Sequence, residues 1–158
     1  MKNVSSSRMT SICNIACAVL MLILLVLQFM PFWTVETEEG ANSVSIQSFI
    51  WFPGDHGDLE DSLGETLGNE EFSVNDVLGM PILVLVAGAV GVVLCLIKSG
   101  SGFASILPAI CGVAGVWGFL AKPAFRLGST WQIQLALSAV ILVLAIVSIA
   151  AMIREARR

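Results

Sequence analysis

The densest chemistry in this chain lies between residues 55 and 61, where Asp55, Asp58, Glu60 and Asp61 flank its one histidine, His56. Calcium takes several hard oxygen ligands, so these four carboxylates are the candidate metal site, although their spacing is not that of an EF-hand loop. The run Pro53-Gly54-Asp55-His56-Gly57-Asp58 is also turn chemistry, and His56 reads first as a turn residue. Cys13, Cys17, Cys95 and Cys111 form no CxxC pair and have no histidine beside them. They read as small buried packing residues, with inner-leaflet acylation or a metal as the lesser alternatives. No nucleophile elbow, phosphate loop, zincin helix or paired catalytic carboxylates occur. The expectation is a protein that is not an enzyme, needs no cofactor and binds no nucleic acid.

The medium of the chain follows from its composition. Of 158 residues, 56% are hydrophobic and 13% charged, outside the range of an ordinary soluble domain. A helix crossing a hydrocarbon core of about 30 Å needs roughly 20 apolar residues, and its backbone must be satisfied internally. Four stretches free of Asp, Glu, Lys, Arg and His meet that need, at about 9–30, 77–97, 103–120 and 131–153. Ser73 to Asp76 and Ser129 to Gln132 read as capping boxes, and Pro81 lies where a missing N–H costs little. The first stretch is too long for a signal-peptide core and is expected to stay as a span. The fold class expected is an all-α membrane protein, a four-helix bundle in a single domain.

Basic residues are retained on the cytoplasmic side of short loops. Lys2, Arg8, Lys98, Arg154, Arg157 and Arg158 fall on one side, against Lys122 and Arg126 on the other. This predicts a multi-pass protein of the plasma or bacterial inner membrane, with both termini cytoplasmic. Segments 32–76 and 121–130 then face out, and 154–158 is a cytoplasmic tail.

Segment 32–76 carries eleven of the twelve acidic residues and no Lys or Arg. Carboxylates contribute little to topology, so the skew reads as a surface property that attracts cations and basic partners. Apolar and polar positions alternate in Trp33-Thr34-Val35-Glu36-Thr37-Glu38 and in Val44-Ser45-Ile46-Gln47, with a turn signal at Glu39-Gly40-Ala41-Asn42 between them. The pattern predicts a β-hairpin whose second strand continues through Phe49-Ile50-Trp51-Phe52. Leu59, Leu63 and Leu67 suit one face of a short helix. Trp33, Phe49, Trp51 and Phe52 are the expected partner contacts or core of a small outer domain, with interface anchoring the competing role for Trp33, Trp117 and Trp131.

Inside the spans, small residues recur at packing intervals. Ala87 and Gly91, Ser101, Ser105 and Ala109, Cys111 and Gly115, and Ala114 and Gly118 let backbones approach closely in lipid. They make the third span the expected central helix, which Pro108 would bend. Asn14, Gln28, Gln132 and Gln134 are the candidates for interhelical hydrogen bonds. With no ionisable side chain in the hydrocarbon, a proton-coupled carrier is disfavoured.

The layout resembles that of the claudin and peripheral-myelin group of tetraspan proteins, with Trp33 soon after the first span and Ile50-Trp51 at the position of a second aromatic motif. That resemblance implies cytoplasmic termini, a first outer loop folded as a small antiparallel sheet, lateral self-assembly and extracellular partner contact. The function expected is a noncatalytic membrane interaction protein that presents its acidic outer segment to a partner, to calcium or another cation, or to its own copies. An oligomeric cation-selective channel, with Glu36, Glu38, Glu39 and Asp76 at its mouth, is the alternative from another class. A small accessory subunit of a transporter or enzyme complex is the third.

Overall fold

The computed structural model describes residues 3–29, 33–37, 40–44, 68, 75–122 and 130–157. Four long helices account for most of them: α1 (Asn3–Gln28), α2 (Asn75–Ile97), α3 (Ile106–Ala121) and α4 (Trp131–Ala156). A 3-10 turn, Gly102–Ser105, leads straight into α3. The spans are long enough and apolar enough to cross a membrane over Arg8–Gln28, Gly79–Ile97, Gly102–Ala121 and Trp131–Ala156.

The helices run up and down in a ring. Each packs along its neighbour in sequence and α4 closes onto α1, leaving only slight contact across the α1–α3 diagonal. No helix is central, which corrects the expectation for α3. The buried positions step by four and three along α1 (Thr10, Asn14, Cys17, Met21, Leu24, Gln28) and along α4 (Gln134, Ser138, Ile141, Ala145, Ser148). The same steps occur along α2 (Pro81, Val84, Gly88, Gly91, Cys95) and α3 (Pro108, Cys111, Gly115, Gly118). An average near 3.5 residues per turn is what keeps one seam facing the bundle axis in a left-handed coil.

The polarity of this bundle is inverted relative to a soluble one. Its interior mixes Asn, Gln, Ser, Thr, Cys and Gly with apolar residues, while Ile12, Val19, Val26, Val86, Val93, Val113, Val143 and Ile146 are exposed around the outside. Contiguous apolar surface beyond a few hundred Å² is rare on soluble monomers. Lipid is the solvent that suits it, and the chain is a multi-pass membrane protein.

Two short strands lie between α1 and α2. β1 (Trp33–Thr37) pairs antiparallel with β2 (Gly40–Val44), with Trp33 opposite Val44 and Thr37 opposite Gly40. The second strand therefore occupies the stretch read from sequence as the turn. Gly and Asn are depleted in strands, so composition pointed to a turn, whereas register is a property of the pairing. The continuation of that strand through Phe52, and the Leu59-Leu63-Leu67 helix, lie outside the described residues.

Helix starts also differ in detail from the capping boxes. The N-cap of α4 is Thr130, and its hydroxyl makes no cap hydrogen bond. It accepts instead from Gln134 Nε2 at 3.0 Å, one turn into the helix. Ser129 and Ser73 lie outside the described residues.

Candidate functional site

The polar side chains on the bundle axis gather into two clusters, one at each end. The end carrying the termini is organised by Asn14, which is fully buried. Its Nδ2 donates to the carbonyls of Ser99 at 2.7 Å and Ser101 at 3.1 Å. These carbonyls belong to the turn between α2 and α3, and that of Ser101 also accepts the first bond of the 3-10 turn, from Ala104 N at 3.1 Å. On its other side, Asn14 Oδ1 accepts from Ser105 Oγ at 2.7 Å and from Ser148 Oγ at 3.3 Å, and the two hydroxyls lie 2.6 Å apart. Ser11 Oγ reaches Ser99 Oγ at 3.0 Å. One amide thus joins α1, the α2–α3 turn, the start of α3, and α4, with both its donors and its acceptor in use.

The opposite end, from which segment 32–76 departs, is joined by two amides. Gln28 Nε2 donates to Gln134 Oε1 at 2.7 Å, and Gln134 Nε2 donates on to Thr130 Oγ1. Gln28 Oε1 is buried and without a hydrogen-bond partner. Exchanging N and O in both amides keeps Gln134 satisfied, because the Thr130 hydroxyl can donate as well as accept. That exchange only moves the unpaired atom from Gln28 Oε1 to Gln28 Nε2.

Between the clusters the axis is mainly apolar, with the buried Ser138 hydroxyl the exception. Met21, Leu24, Val84 and Ile141 are each 0 or 1% exposed and separate the two polar ends. At Gly112, α3 and α4 approach closely enough for main chain to meet main chain. A Cβ added at Gly112 would stand 2.8 Å from Leu142 Cβ and 2.9 Å from both Leu142 N and Ser138 O. One added at Gly115 would meet Ser138, whose Oγ is buried with no conventional partner. Spacing of this kind brings Cα hydrogens against the hydroxyl oxygen, a weak C–H···O contact.

The thiols serve the same packing. All four cysteines are free and buried. Pro108 has no N–H to give to the carbonyl of Ala104 one turn back, and Cys95 Sγ donates to that carbonyl at 3.4 Å. Cys17 Sγ points to Ile141 O at 3.8 Å and Cys111 Sγ to Val84 O at 3.9 Å, both at the long limit for sulfur. Among the described residues no group of three or more His, Cys, Asp or Glu is placed to hold a metal.

Of the residues singled out for packing, Ala87, Gly91, Ser105, Gly115 and Gly118 are buried and Ala109 is half-buried. Asn14, Gln28 and Gln134 are brought into interhelical bonds, whereas Gln132 is exposed. Gly112 was missed, because spacing by four pairs other small residues and leaves it out. Its signal is the three-residue step to Gly115 on the α3 seam. Asp55, Asp58, Glu60 and Asp61, with Phe49, Trp51 and Phe52, lie outside the described residues; of Trp33 the backbone alone is described, in β1. No protein-family model, no curated protein and no solved structure matches the chain. What it shares with tetraspan proteins is the set of four long apolar helices, and nothing in it is specific to claudins.

Proposed function

We propose that this chain is a noncatalytic membrane interaction protein, a four-helix frame that presents residues 32–76 on the non-cytoplasmic face to a basic partner or a cation. In this reading both termini are cytoplasmic, and the β1–β2 pair is the start of a small outer domain to which Trp33, Phe49, Trp51 and Phe52 contribute. The observation that supports it most is a division of labour. The axis of the bundle holds only neutral groups, bonded to one another at its two ends and sealed by apolar side chains between them. Eleven carboxylates without a single Lys or Arg stand in one connecting segment. The apolar layer of Met21, Leu24, Val84 and Ile141 also opposes conduction through the axis of a single copy.

Such a one-signed surface attracts partners of opposite charge, and the attraction is screened by salt. The test is crosslinking in native membrane followed by pull-down, with the natural chain and with Glu36, Glu38 and Glu39 changed to Gln. Recovery of a partner that is lost at high salt and weakened in the triple variant is the expected result. Recovery of monomer alone at every salt concentration sinks the reading.

A further inference from the structure

The four helices are not held alike. From Gly79 to Ile97, α2 contains no side-chain nitrogen or oxygen at all. Every side-chain N or O hydrogen bond that ties α1 to α4, or α3 to α4, therefore bypasses it. Over Gly79–Ile97 its polar links to neighbours, among the described residues, are the two thiol contacts, Cys95 to Ala104 O and Cys111 to Val84 O.

Its packing is also of a softer kind. Where α3 meets α4, Gly112 faces the main chain of Ser138 and Leu142, which cannot yield without moving the helix. Where α2 meets its neighbours, Gly88 faces Leu25 Cδ2 at 3.1 Å from an added Cβ, and Gly91 faces Met21 Cε and Sδ, both at 3.2 Å, with Leu107 Cβ of α3 at 3.3 Å the one stiffer contact of that pair. At the far end, Met80 of α2 fills the notch left by Gly118. Methionine and leucine ends are flexible and repack at little cost. The end of α2 at the α2–α3 turn differs, because Asn14 grips the carbonyls of Ser99 and Ser101.

We propose that α2 is the moving helix of the bundle, pivoting on the turn that Asn14 clamps, while α1, α3 and α4 form a fixed frame. Resting on the reading above, α2 follows directly on the acidic segment, so a partner bound there draws on the free end of the one helix able to respond. The span from Ser99 to Gly79 is about 30 Å of helix, so a tilt of about 5° shifts the free end by about 2.5 Å. A shift of that size is of the order that repacking Met80, Met21 and Leu25 can absorb, and between Gly79 and Ile97 it has no hydrogen bond from a side-chain N or O to break.

Spin labels on lipid-facing positions near the loop end of the bundle test this in nanodiscs. One pair spans the α2–α4 diagonal (Ile82→Cys with Ile133→Cys), and the other spans α1–α3 (Val26→Cys with Trp117→Cys). The unmodified chain controls for labelling of the buried native thiols. The α2–α4 distance distribution is expected to be broader than the α1–α3 one, and to shift when a lysine decapeptide is added at low salt, with the α1–α3 distribution unchanged. Equal widths for the two diagonals overturn the proposal whatever the peptide does. A decapeptide that binds, measured independently by fluorescence anisotropy, without shifting the α2–α4 distance overturns the coupling. Failure of the decapeptide to bind refutes the acidic-surface reading and the coupling with it, while the two widths still decide whether α2 moves.

Discussion

At Gly112 an added methyl group would meet main chain rather than the end of a side chain. The new Cβ would lie 2.8 Å from Leu142 Cβ and 2.9 Å from Leu142 N and Ser138 O. Ordinary carbon contacts are about 3.5 to 4.0 Å, so α3 and α4 must part by roughly 0.7 Å or more where Gly112 meets α4. Overpacking of this kind costs about 1–3 kcal/mol. It is set against the gain of about 1 kcal/mol that alanine has over glycine in a helix interior. Gly112→Ala should therefore lose up to about 2 kcal/mol net. Gly88→Ala is the matched control, since its Cβ would meet Leu25 Cδ2 at 3.1 Å and Leu25 Cγ at 3.4 Å, a side chain free to turn away, and Cys111 Sγ at an ordinary 3.8 Å. Its net effect should stay within about 1 kcal/mol of zero. Reversible unfolding in mixed micelles, titrated with SDS and followed by tryptophan fluorescence, measures both. If Gly112→Ala is no less stable than Gly88→Ala, the backbone contact does not hold α3 to α4 and the fixed frame has lost its basis.

Other consequences follow from the same contacts. Gly115→Ala places its methyl on Ser138, so Ser138→Gly should recover part of the loss, and a double-mutant cycle in the same micelles should show coupling of about 0.5 kcal/mol or more. Membrane hydrogen bonds average about 0.6 kcal/mol each, so Asn14→Ala, which removes four, should cost about 2–3 kcal/mol in the unfolding titration, against under 1 for Ser11→Ala. Gln28→Leu strands a buried oxygen of Gln134, and the double variant with Gln134→Leu should be more stable than Gln28→Leu alone. Cys17, Cys95 and Cys111, each 0% exposed, should resist a membrane-permeant maleimide until SDS unfolds the chain; labelling of the native protein at the denatured rate would contradict the buried seam.

The spans were the part most open to reading from sequence, because their cause is a single strong term. A run of some 20 residues without a charge has one inexpensive place to be, and the helices duly cover Arg8–Gln28, Gly79–Ile97, Gly102–Ala121 and Trp131–Ala156. Which face of each helix turns inward was harder, because in lipid both faces can be apolar and hydrophobicity no longer marks the core. The marks are instead the polar and small residues: Asn14, Gln28 and Gln134 are picked out by type, Gln132 with them although it is exposed, and Ser148 is not; the alternating steps of three and four bring Cys17, Met21, Ile141 and Ala145 onto the same seam. Gly112 escaped because counting small residues four apart tests one ridge of a helix at a time, and a contact between two helices uses the three-residue step as well.

The strand pair shows the opposite limit. Alternation of polar and apolar residues identified Trp33–Thr37, but the pairing partner is Gly40–Val44, a stretch with weak strand chemistry. Its place is fixed by proximity along the chain, since Thr37 opposite Gly40 leaves only residues 38 and 39 between the paired positions. The same contrast separates α2 from the rest of the bundle. A helix with no side-chain N or O from Gly79 to Ile97 is legible in one pass along the sequence, yet it reads there as the safest of membrane spans. Only beside α1, α3 and α4, which are joined by Asn14, Ser105, Ser148, Gln28 and Gln134, does its lack of polar groups become a mechanical property. Hydrocarbon makes α2 stay in the membrane, and the absence of bonds lets it move there.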